Sequence, residues 1–132
     1  MMATMQEAAK HDNLSPYATA FGQHMAKIQK ALEYLTAYAF KGDFENYLAD
    51  ANIFMEWAST VIIGHQWLKM ALAAQKALEK GDTTYTNDFY KSKIHTMRFY
   101  FKYEMPKTSA CLETLLSKDK LTLLEGDDAM IF

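Results

Sequence analysis

Between Tyr17 and Ala39, apolar residues recur at steps of three and four: Tyr17, Phe21, Ile28, Ala31, Leu35 and Ala39, with His24 in the same register. That spacing places them on one face of a helix. Ser15 is suited to cap its start, and Pro16 fits the first turn, where a missing N–H costs nothing. Leu32 and Phe40 widen the face. Lys41-Gly42 closes the helix, because Gly42 is free to take the left-handed C-terminal conformation. A second stripe follows at Tyr47, Ala51, Phe54, Ala58, Val61, His65, Leu68 and Leu72, spread further by Met55, Trp57, Ile62 and Trp67. Asp43 caps it, and Glu45 lies where a helix N-terminus favours negative charge. From Phe44 to Lys80 there is no proline. An unbroken helix there would be roughly 54 Å long. A break near Asn52 or Gly64, both weak helix formers, is expected.

The third amphipathic stretch is "DFYKSKIHTMRFYFKYEMPK", residues 88–107, with Thr86 or Asn87 as its cap. Tyr90, Ile94, Met97 and Phe101 share one face. Lys91, Arg98 and Lys102 share another, with Phe89, Tyr100 and Tyr103 between or beside them. The separation of charge from apolar surface is that of an ordinary amphipathic helix rather than a nucleic-acid grip. Pro106 must bend or end the helix near Met105. Ala110, Cys111, Leu115 and Leu116 then resume the pattern, and "LTLLEGDDAMIF" is expected to pack down as a tail.

The expected fold is all-α: an antiparallel up-and-down bundle of three long helices, the third kinked or split at Pro106 and so four-helix-like. Residues 1–14 are expected to form a flexible N-terminal arm, and residues 15–132 a single helical-bundle domain.

Composition narrows the function. The 132 residues are 50% hydrophobic and 14% aromatic, which argues for a folded chain. Formal charge is −2, and Arg98 is the only arginine among 14 basic residues, so nucleic-acid binding is not expected. Cys111 is the only cysteine, which fits a reducing cytoplasm. No apolar run reaches the length of a membrane span.

Catalytic chemistry finds little support. Di-metal helical bundles need Glu-x-x-His. None of Glu33, Glu45, Glu56, Glu79, Glu104 and Glu113 has a histidine three places on, and His11, His24, His65 and His95 lack ligand spacing. His24 and His65 fall on apolar faces and read as hydrogen-bonded core histidines; a contact between them, or with Glu56, stays open. Cys111 has no neighbouring base to activate it and reads as a packing residue. No Gly-rich phosphate loop is present. No catalytic, cofactor-binding or metal-ligating residue is assigned, and no cofactor is expected.

The order of features resembles the C-terminal accessory helical domain of the larger acyl-CoA dehydrogenase family, over about residue 15 to the end. The resemblance rests on Gly64, Trp67, Leu68, Met70, Ala71 and Ala74 in "GHQWLKMALAA", close to the family's "GxxWLxxMAxxA" but one residue shorter between Leu68 and Met70. It continues through Asp88, Phe89, Tyr90, Lys93, Thr96, Arg98, Phe99, Tyr100 and Pro106, and closes at Leu121, Leu123, Leu124 and Phe132. It departs at Met97, where the family has alanine, and at Met105 before the proline. The flavoprotein core, with its flavin site and catalytic glutamate, is absent from this sequence. The resemblance implies a non-catalytic module that packs on an acyl-CoA dehydrogenase-like core or on itself as a homo-oligomer. The alternative is a bundle that binds an acyl chain between its helices.

Overall fold

The computed structural model describes residues 1–123. Within them the fold is all-α, without strands: α1 (Met2–Ala8), α2 (Ser15–Phe40), α3 (Phe44–Leu48), α4 (Ala51–Lys80), α5 (Asn87–Tyr103) and α6 (Thr108–Leu116). A short 3-10 turn, Met105–Lys107, joins α5 to α6. The expected tail falls largely on residues 124–132, outside the described residues.

Several boundaries follow the local chemistry. Asp43 accepts a hydrogen bond from the Asn46 N–H, and Thr86 accepts one from Phe89. Gly42 and Gly81 carry positive φ, 76° and 66°, and turn the chain out of α2 and α4. Leu14, rather than Ser15, flanks the start of α2, and Pro16 remains in its first turn.

The long second stripe divides at Ala49-Asp50, ahead of Asn52. The Asp50 carboxylate is engaged there with Lys120. Gly64 lies inside continuous helix and serves a different purpose.

Residues 1–14, expected as a flexible arm, carry α1 and pack against the rest of the helices. Ala8 and Leu14 are fully buried. Glu7 pairs with Lys76 of α4 at 3.0 Å, and the Asn13 amide donates to Gln75 at 2.8 Å. The core-facing positions here (Met5, Ala8, Leu14) are too few to reveal a helical period, and that is why the segment reads as an arm.

α4 is the spine. Its inner face buries Trp57, Val61, Leu68, Ala71 and Leu72, with Phe21 and Ala31 of α2 in the same core. Burying each large side chain of this kind is worth about 1.5–3 kcal/mol. α5 runs back along α4 and buries Tyr90, Met97 and Phe101. The Tyr100 hydroxyl donates to the Thr60 carbonyl at 2.9 Å. Of the residues expected to widen the faces, Trp57 is buried and Trp67 half-buried, whereas Leu32, Phe40, Met55 and Ile62 are exposed, Phe40 by 91%.

Pro106 ends α5, and Met105 beside it is buried over Gly64. A Cβ on Gly64 would stand 2.6 Å from the Met105 sulfur. Gly64→Val is therefore expected to lower the free energy of urea unfolding by about 1–3 kcal/mol through overpacking. Met105→Ala in the same chain should recover part of that loss.

Candidate functional site

The basic and aromatic residues of the 88–107 stretch come together in an open trough between α5 and the start of α2. One hollow, about 690 Å³, is lined by Pro16, Tyr17 and Ala20 from α2 and by His95, Arg98, Phe99, Lys102 and Tyr103, among others, from α5. Helical periodicity explains the arrangement: Tyr90, Met97 and Phe101 turn into the core, which leaves Arg98, Phe99 and Lys102 facing outward. Tyr17 meets Phe101 edge to face, ring centres 5.6 Å apart. Arg98 Nε donates to the Tyr17 hydroxyl at 3.2 Å, which holds the guanidinium at the trough wall. Phe99 and Tyr103 lean on each other at 4.7 Å, and the Lys102 ammonium sits 5.3 Å from the Tyr103 ring centre.

A second apolar feature is the outer face of α4. Met55, Ile62, Ile63 and Met70 are exposed by 61, 49, 47 and 40%. At 100° per residue they fall within about 100° of arc, opposite the Trp57–Leu72 core stripe. A third is the far end of α2: Leu32, Leu35, Tyr47, Leu48, Phe54 and Leu115 surround a hollow of about 80 Å³.

The two histidines singled out by sequence each meet a threonine. His24 Nδ1 lies 3.3 Å from the Thr108 hydroxyl, and His65 Nε2 lies 3.3 Å from that of Thr4. His65 stacks on Phe21, and its Nδ1 is buried without a hydrogen-bond partner. Burial depresses both imidazole pKa values; nearby positive charge adds to it, from Lys27 at His24 and from the N-terminal ammonium and Lys69 at His65. Burial, then the Glu56 carboxylate, pushes the Cys111 thiol up, away from nucleophilic thiolate character. Among the described residues no group of three or more His, Cys, Asp and Glu is placed to hold a metal ion. None of the described helices is long and apolar enough to cross a membrane.

Sequence reasoning missed the most buried ion pair among the described residues. Lys120 Nζ donates to Asp50 Oδ2 at 2.7 Å and to the Leu115 carbonyl at 3.0 Å, with both side chains more than nine-tenths buried. The partners stand 70 residues apart. No local pattern marks them; the only signal is the weak one of an aspartate at a helix break.

These features define a class: an all-α helical module with exposed apolar and basic surface among the described residues. The family model described as "Acetyl-CoA dehydrogenase C-terminal like" matches residues 1–124, and the chain belongs to that family. No curated protein and no solved structure gives a significant match.

The histidines give a pH dependence of definite sign. Their folded pKa values lie below the unfolded value, so the unfolded chain binds more protons in that window, and stability falls as pH drops below about 6.5. Urea midpoints measured from pH 7.5 to 5.5 should decline, and His65→Gln should flatten the slope. At the ion pair, Lys120→Ala leaves Asp50 buried without its cation and should cost up to about 3 kcal/mol, while Asp50→Leu with Lys120→Met should cost less than the summed single changes. Thermal and urea unfolding of the parent chain, the three single variants and the double variant would measure both.

Proposed function

We propose that the chain is a non-catalytic interaction module that packs through the outer face of α4 on a flavoprotein core of the acyl-CoA dehydrogenase type, or on a second copy of itself. The observation that carries this is the two-sided apolar character of α4. A helix apolar on both sides is usually covered on both sides. Its inner face is covered by α2, α5 and α6, whereas Met55, Ile62, Ile63 and Met70 meet solvent. Methionine-rich apolar surface of this kind suits a protein contact. Family membership is what favours a dehydrogenase-type core as the partner in this reading. On this reading the isolated chain dehydrogenates nothing.

The second reading, an acyl-chain binder, rests on the hollow among Leu32, Tyr47, Leu48, Phe54 and Leu115. Its volume of about 80 Å³ is small against the roughly 300–1,000 Å³ usual for ligand pockets. The interaction reading is therefore preferred.

Sedimentation across a concentration series, paired with pull-down of a purified dehydrogenase core, tests the proposal. Self-association or core capture is expected. Ile62→Glu with Ile63→Glu should weaken it by about tenfold or more, as loss of a central apolar anchor does, without changing the far-ultraviolet circular dichroism. A strictly monomeric chain that recovers no flavoprotein would overturn the reading.

A further inference from the structure

The trough between α2 and α5 is not part of the α4 contact: none of Met55, Ile62, Ile63 and Met70 lines it. The hollow of about 690 Å³ adjoins a second of about 380 Å³, and the two share His95 and Arg98. The second continues to Lys91 and to Asn13 and Gln75. Lys91, His95, Arg98 and Lys102 thus form a basic stripe along one helix, about 16 Å from first to last.

Three observations define what fits there. No carboxylate lines either hollow. Lys91, Arg98 and Lys102 make no ion pair among the described residues, although the chain as a whole is acidic at −2. Arg98 is held through Nε by Tyr17, which leaves its terminal nitrogens as a fixed fork suited to a carboxylate. A single small anion would engage only part of a 16 Å stripe. Stacked bases fit less well, because Phe99 and Tyr103 lean on each other at 46° instead of offering parallel faces.

We propose that the trough docks an acidic, extended segment of a partner protein, about five residues long. Its carboxylates meet Lys91, Arg98 and Lys102, and an apolar side chain rests among Pro16, Phe99 and Tyr103. The inference rests on the module reading and deepens it by naming the partner's chemistry at a second contact.

Fluorescence anisotropy with three labelled probes tests this: a peptide alternating Glu or Asp with Leu or Phe, its Gln/Asn counterpart, and a single-stranded oligonucleotide. The acidic peptide should bind tightest, and more weakly as salt rises. Arg98→Gln should raise its Kd about tenfold, the range of a hydrogen bond to a charged group. Lys102→Gln serves as a second variant should the first fold poorly, and Lys118→Gln, outside the trough, should bind as the parent chain does. Equal binding of the neutral peptide, no effect of Arg98→Gln and Lys102→Gln, or tighter binding of the oligonucleotide would overturn the proposal. If the chain captures a core or itself yet shows no acidic preference, the trough inference falls and the module reading stands. Acidic preference without either association would leave the trough standing and remove the α4 contact.

Discussion

The approach of Met105 to the backbone of α4 at Gly64 is the contact on which the surrounding packing turns. A proline at 106 ends α5, so the chain steps from α5 into α6 within a few residues, and the step packs closely on α4 where Gly64 offers no side chain. With Met105 seated, Tyr100 reaches the Thr60 carbonyl and Thr108 reaches His24 of α2. α6 then continues along α4 toward its start, and Lys120 just beyond it meets Asp50. One glycine thus links the end of α5 to the position of α6 and to the buried ion pair that ties the following segment to the start of α4.

The same geometry leaves two kinds of exposed surface. Because α2, α5 and α6 all pack on the inner side of α4, its outer side is left with Met55, Ile62, Ile63 and Met70 uncovered. Because α5 turns Tyr90, Met97 and Phe101 inward, its basic residues gather beside Tyr17. One surface is apolar and the other cationic. Charge placed at a rim or trough governs encounter and choice of partner more than affinity, and buried apolar anchors supply most of the binding energy. The two surfaces would therefore contribute differently to one association.

Legibility in the sequence tracked how local each cause was. The helical character, the Asp43 and Thr86 caps, the turns at Gly42 and Gly81 and the interruption at Pro106 are written within a few residues of where they act. The buried face of α5 was legible because Tyr90, Met97 and Phe101 keep strict register. The N-terminal helix was not, because its packing rests on Ala8 and Leu14 with polar ties to α4 more than sixty residues away. Gly64 read as a weak helix former and proved to be a seat for Met105, a role that depends on which element passes above it. The α4 stripe was read as too wide for one face. Only the fold shows that the excess is a second apolar side. The basic residues of α5 were legible as a solvated face. Their union with Tyr17 into a trough required α2 to be placed beside them.

The central claim is that the outer face of α4 is a protein contact surface. Methyl NMR of the Met55, Ile62, Ile63 and Met70 side chains, followed during titration with a dehydrogenase core and during self-dilution, tests it most directly. The account predicts that these four methyl signals shift or broaden together on association, while the buried Met97 and Met105 signals stay close to their free positions. Association that leaves all four unchanged would contradict it.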